Sequence, residues 1–183
     1  ITNVSRAFGK DDTEALRINF RMGLWLVFAF SLFGLALVSK TSAFLTFLEQ
    51  DEYIVEIVSE YIQIVQWMMP FLLLTYVIKA FLISVKKQQV VLFISILGLI
   101  TNFIFNYLFI FGNFGLPELG ITGVACSSLL TSICMMLSGL LYIHLSDLKE
   151  KQIFKDFFVF DAEIFQNLFK LGWPICLTIM AES

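Results

Sequence analysis

One carboxylate and four side-chain amides stand in or beside apolar stretches, where polar groups are costly unless they are bonded or face water. Glu182 lies eight residues after Pro174 inside an apolar pattern, which on a helix is about 12 Å further along the axis. Burial disfavours the charged form of an acid, and a bound cation or a hydrogen bond restores it. That tension suits a site that takes up H+ or Na+ when closed and releases it when its surroundings change. A structural Glu bonded to a neighbouring helix is the plainer alternative. Asn102 and Asn106 are one helical turn apart on one face of the most apolar stretch. They either bond another helix or line a cavity. Gln63 and Gln66 continue a helical face begun by Glu52, Glu56 and Glu60. The glutamates read as a solvated helix tip, and the two glutamines as candidates to face a water-filled cavity.

The elements that must position these groups are apolar runs at residues 22–38, 61–85, 90–111 and 121–143, with a further run starting near 165. Each of the first four spans roughly 17–25 residues, enough at about 1.5 Å per residue to cross a hydrocarbon core of about 30 Å. The fold class is therefore an all-α, polytopic membrane bundle. Asp12 or Thr13 is placed to cap the first crossing. The second is expected to begin near Asp51 and to kink at Pro70. Residues 43–48 form a short apolar stretch suited to an interface. Gly120, Gly123, Ala125, Ser127 and Ser128 give the fourth crossing a small-residue face that lets another helix approach closely.

Of the twelve Lys and Arg, only Lys40 falls in a loop on the opposite side from the rest. The positive-inside rule then places the chain's start in the cytoplasm, with crossings outward, inward, outward and inward. Hydrophobic residues make up 58% of the chain and charged residues 15%, with a net charge of -3. No basic cluster suggests nucleic acid. Cys126, Cys134 and Cys176 lie in apolar runs and none has a nearby His, so no zinc or redox site is expected. His144 reads as an interfacial residue. No phosphate loop, nucleophile triad or ATP-binding motif is present, so an enzyme is not expected. Both ends read as truncations, and the chain as an internal segment of a longer transporter or channel.

The stretch Asn102-Phe-Ile-Phe-Asn106-Tyr107, followed by Gly112-Asn113-Phe114-Gly115-Leu116-Pro117-Glu118-Leu119-Gly120 and Gly123-Val124-Ala125, resembles the multidrug and toxic compound extrusion (MATE) family in its NorM-like branch. Residues 168–182, with Leu171-Gly172-Trp173-Pro174 and then Glu182, resemble the opening of that family's seventh helix. Phe8-Gly9-Lys10 is similar to its loop after helix two, although Arg6 and Lys10 depart from the usual Gln and Ala. The resemblance covers the end of helix two to the start of helix seven of a twelve-helix fold of two six-helix halves. Residues 1–160 would then be an amino-terminal lobe segment with the start of the interlobe linker. Residues 161–183 would be the end of that linker and a truncated seventh helix.

The resemblance implies a secondary active exporter of cationic or amphipathic compounds. It would act by alternating access as an antiporter with H+ or Na+, need no cofactor, and be a monomer in a bacterial cytoplasmic membrane. It implies that Glu182 couples the cation and that Asn102, Asn106 and Ser128 line the amino-terminal lobe. Pro117, Gly120, Gly123 and Pro174 belong to its structural motifs. Asn106 stands where another branch has Asp, which argues against proton coupling through amino-lobe carboxylates. A lipid-precursor flippase of the same superfamily is the alternative, disfavoured by the scarcity of Lys and Arg within the crossings. A truncated, inactive membrane protein is a further one.

Overall fold

The computed structural model describes residues 2–47, 51–112, 115, 118–153, 159–170 and 172. Seven α-helices follow in order among them: α1 (Thr2–Gly9), α2 (Thr13–Val38), α3 (Thr41–Phe47), α4 (Glu52–Val65), α5 (Met68–Ser84), α6 (Gln88–Phe111) and α7 (Gly120–Leu145). A 3-10 turn at Asp147–Lys149 follows, and residues 162–170 are helical again. No strand occurs among the described residues. Three helices, α2, α6 and α7, are each long and apolar enough to cross a membrane, and α4 with α5, bent by 41° at their break, passes the same test as a pair and counts as a fourth if the two form one span. These are the crossings expected from the apolar runs, each extended by the polar turns at its ends.

The helix starts follow local chemistry. The Asp12 carboxylate accepts the Ala15 amide proton at 2.9 Å and so caps α2. Asp51 does the same for Tyr53 at the head of α4. The bend between α4 and α5 has its cause in Pro70. Proline has no N–H to give the Gln66 carbonyl, and its ring crowds that oxygen. The Met69 amide takes the Gln66 oxygen instead, at 3.3 Å, and the helix breaks at Gln66 and Trp67, four residues before the proline. At the other end, Gly112 closes α6 in the left-handed conformation with φ 62°, where a side chain would be strained.

Packing centres on α7, which touches α4, α5 and α6, while α2 packs on α5. The buried apolar cluster is one-sided along the bundle. It joins Leu16, Phe20 and Leu24 of α2 to Ile78, Phe81, Leu82 and Val85 of α5, with Ile94 of α6 and Ile143 of α7. These positions lie in the first half of α2 and α6 and the last half of α5 and α7, which is the cytoplasmic half on the basic-residue asymmetry. Phe20 and Phe81 meet there with ring centroids 4.5 Å apart. In the other half the buried side chains of α7 are small or hydroxylated: Ala125, Ser127, Thr131 and Ser132.

The segment after α7 folds back under the bundle. Leu148 and Ile153 join the core. The Lys151 ammonium pairs with Asp11 at 2.6 Å and lies 5.5 Å from the Phe8 ring centroid. The Lys151 carbonyl accepts from Arg17 Nε at 2.7 Å. Lys87, between α5 and α6, pairs with Asp147 at 3.8 Å. One short strap thereby ties together the ends of α1, α2 and α5–α7 that lie nearest the apolar core.

Candidate functional site

Asn102 and Asn106 face α7 and act as a pair. The Asn106 Nδ2 donates to Asn102 Oδ1 at 3.0 Å, and Asn102 Nδ2 points on to Thr131 Oγ1 of α7 at 3.5 Å, the long limit for such a bond. The donors all run one way, toward Thr131. The acceptor at the opposite end, Asn106 Oδ1, is buried and has no hydrogen-bond partner among the described residues. A buried amide oxygen without a donor is costly, which makes this end of the relay a candidate to accept from a proton donor or a cation. The pair sits about 13 Å and 8 Å from the outer end of α6. It therefore lies in the half where the apolar core is absent.

The close approach of α6 and α7 that creates the pairing has a backbone origin. The Leu119 amide donates to Phe109 O at 3.0 Å. A Cβ on Gly123 would stand 2.6 Å from that same Phe109 oxygen. Gly120, just before it, holds φ 52°, a left-handed conformation that starts α7 where Leu119 can reach α6. Further in, Gly98 of α6 leaves the space that Met135 of α7 fills.

The other sequence-stated candidates fall in several places. Ser128 is half-buried on α7, and its carbonyl accepts from Ser132 Oγ at 2.9 Å. The hydroxyl that meets Asn102 is instead Thr131, less than one turn further along the same helix. Sequence reasoning passed over Thr131. Its signal was the run of hydroxyls at 127, 128, 131 and 132, which names the face of α7 and leaves its register on α6 open. Gln66 is half-buried, and its Nε2 donates to Gln63 O at 3.1 Å; its amide thus serves the broken turn ahead of Pro70. Gln63 is exposed, as are Glu52, Glu56 and Glu60. Glu182, Pro117 and Pro174 lie outside the described residues.

No group of three or more His, Cys, Asp or Glu suited to a metal ion occurs among the described residues. A concavity of about 720 Å³ lies away from the amides, between the first turns of α2 and residues 159–162. Glu14, Arg17 and Arg21 of α2 line it together with Asp161. Its balanced charge gives it no preference for a cation, and the amide pair is the better candidate.

Spans of this length, a bent fourth crossing and a polar cluster between two helices define a multi-pass helical membrane protein with a polar site at membrane depth. A family model described as MatE matches residues 1–108. The chain belongs to the MatE family, which comprises helical membrane transporters and not enzymes. It is 31% identical over 180 residues to a protein of Rhizobium meliloti strain 1021 named probable multidrug resistance protein NorM, covering 98% of this chain and 38% of that protein. A protein of the same name from Agrobacterium fabrum strain C58 is 27% identical over 180 residues, covering 98% of this chain and 39% of the relative. One from Bacillus licheniformis is 37% identical over 108 residues, covering 58% of this chain and 24% of the relative. The chain thus spans about two fifths of the length of the first two relatives.

Proposed function

We propose that the full-length protein containing this chain is a secondary active multidrug exporter. It would move cationic or amphipathic compounds out of a bacterial cell in exchange for inward H+ or Na+. In this reading residues 1–160 belong to the amino-terminal lobe and residues 161–183 open the carboxy-terminal one. Asp161 supports that division, because it caps a new helix by accepting the Ile164 amide at 3.0 Å. The observation that carries the functional reading is the open Asn106 oxygen at the end of the Asn106–Asn102–Thr131 relay. A neutral amide oxygen in an apolar surround receives a cationic or N–H-bearing compound without holding it as tightly as a carboxylate would. The coupling charge then falls to Glu182, whose exchange between a cation-bound and an empty form drives the alternation. Family membership and the names of the relatives support the same direction of use.

The test is efflux of a fluorescent cationic dye from cells expressing the full-length protein at matched membrane levels. Glu182→Gln is expected to abolish gradient-dependent efflux. Asn106→Leu is expected to slow it about tenfold, the consequence of a lost buried hydrogen bond worth roughly 1.4 kcal/mol. Efflux by Glu182→Gln equal to wild type would remove the acid from the coupling role. Dye retention by the wild type itself would turn the reading toward a lipid-precursor flippase.

A further inference from the structure

Lys79 is the cation that the transport reading does not use. It lies on α5 five residues before its last residue, Ser84, about 7.5 Å from the helix end along the axis. Its Nζ bonds Ser95 Oγ of α6 at 3.1 Å. The Ser95 hydroxyl spends its own proton on Val91 O at 2.9 Å, so it can only accept from the lysine. An ammonium has three N–H donors, and no carboxylate pairs with this one among the described residues: Lys87 takes Asp147 and Lys151 takes Asp11.

A lysine at this depth ordinarily snorkels to the headgroups. Here the helix direction opposes that. α5 runs toward the cytoplasm, and Cα–Cβ bonds tilt toward a helix's amino terminus, so the Lys79 stem starts out away from the inner surface. The contact with Ser95, itself seven residues or about 10 Å into α6, shows a side chain laid across the groove between the two helices. Exposed apolar side chains stand on both of its banks. Tyr76 and Ile83 of α5 are exposed one turn either side of Lys79, and Leu92 and Leu99 of α6 flank Ser95. Lys86 is exposed in the turn just beyond α5. A charge that does not travel to the counter-charge must have the counter-charge brought to it, because an unpaired ammonium at membrane depth costs several kcal/mol.

We propose that the α5–α6 groove is a binding site for an anionic phospholipid of the cytoplasmic leaflet. The lipid phosphate is held by the two remaining Lys79 N–H groups, Lys86 guards the mouth, and an acyl chain lies between Tyr76 and Leu99. This site is separate from the amide pair and stands whether or not the protein exports drugs.

The experiment is native mass spectrometry of the full-length protein released from nanodiscs of phosphatidylglycerol or of phosphatidylcholine. Wild type is expected to retain one more phosphatidylglycerol than phosphatidylcholine. Lys79→Gln is expected to lose that preference, with affinity falling about fivefold, the effect of one lysine near an anionic lipid; Lys79→Arg is expected to keep it. Equal retention of the two lipids by wild type overturns the proposal without recourse to any variant. Equal preference in wild type and Lys79→Gln also overturns it. Displacement of phosphatidylglycerol by millimolar inorganic phosphate would reassign the site to a free ion and overturn it as well.

Discussion

Asn106 differs from the other membrane-depth polar residues in having one end satisfied and one end open. Its Nδ2 donates to Asn102 at 3.0 Å, and its buried oxygen has no partner among the described residues. The strength of the relay falls along its length, because the Asn102–Thr131 step is 3.5 Å. Thr131→Val is therefore expected to slow dye efflux only about threefold, against about tenfold for Asn106→Leu, since a long hydrogen bond contributes at the low end of the usual range. Equal losses from the two variants would mean that the hydroxyl, and not the open amide oxygen, is the working group. The two asparagines and their shared face were legible from their spacing of four. That Thr131 and not Ser128 completes the cluster was not, because a one-turn slide of α7 along α6 leaves the sequence pattern unchanged.

At the scale of elements, the α6–α7 contact and the α4–α5 bend carry the geometry. A methyl at position 123 would meet the Phe109 carbonyl, a backbone atom that cannot swing aside. Gly123→Ala is expected to cost about 1–3 kcal/mol, as overpacking does, and to lower the thermal midpoint in detergent. An unchanged midpoint would show that α6 and α7 separate easily there. Pro70→Ala returns an N–H to the Gln66 carbonyl and removes the ring clash. Spin-label pairs on α4 and α5 are expected to report a longer separation as the 41° bend relaxes; an unchanged distance would place the cause of the bend in tertiary packing. The sequence located this break through Pro70. The break falls at Gln66 and Trp67 because the lost bond belongs to the residue four positions earlier.

Over the whole molecule, the bundle is closed at one end and lightly packed at the other. The apolar cluster and the strap of residues 146–153 hold the closed half. Amide exchange is expected to be slowest in the last half of α5 and of α7 and faster in α4, which has no buried residue; uniform protection would contradict this division. The strap also has a definite acid response. The Lys151 ammonium beside Asp11 holds its carboxyl below the ordinary carboxylate value. A depressed folded pKa gives stability that is present above the unfolded value of about 4 and is lost as pH falls through the folded one. Strap detachment, followed by a fluorophore near Phe8, is expected only below about pH 4. Detachment near pH 6 would exclude Asp11 as its fastener.

By itself the sequence determined where the long apolar helices fall and which of their faces carry polar groups. Those depend on length, hydropathy and helical spacing, all of them local along the chain. Only the tertiary structure decided which hydroxyl meets Asn102, and that Asn106 keeps an open oxygen. It alone laid Lys79 across to Ser95 and turned the segment after α7 back onto Asp11 and Arg17. Each of these depends on register between helices far apart in sequence, set by the close approaches at Gly98 and Gly123 and the one-sided core, which no local pattern encodes.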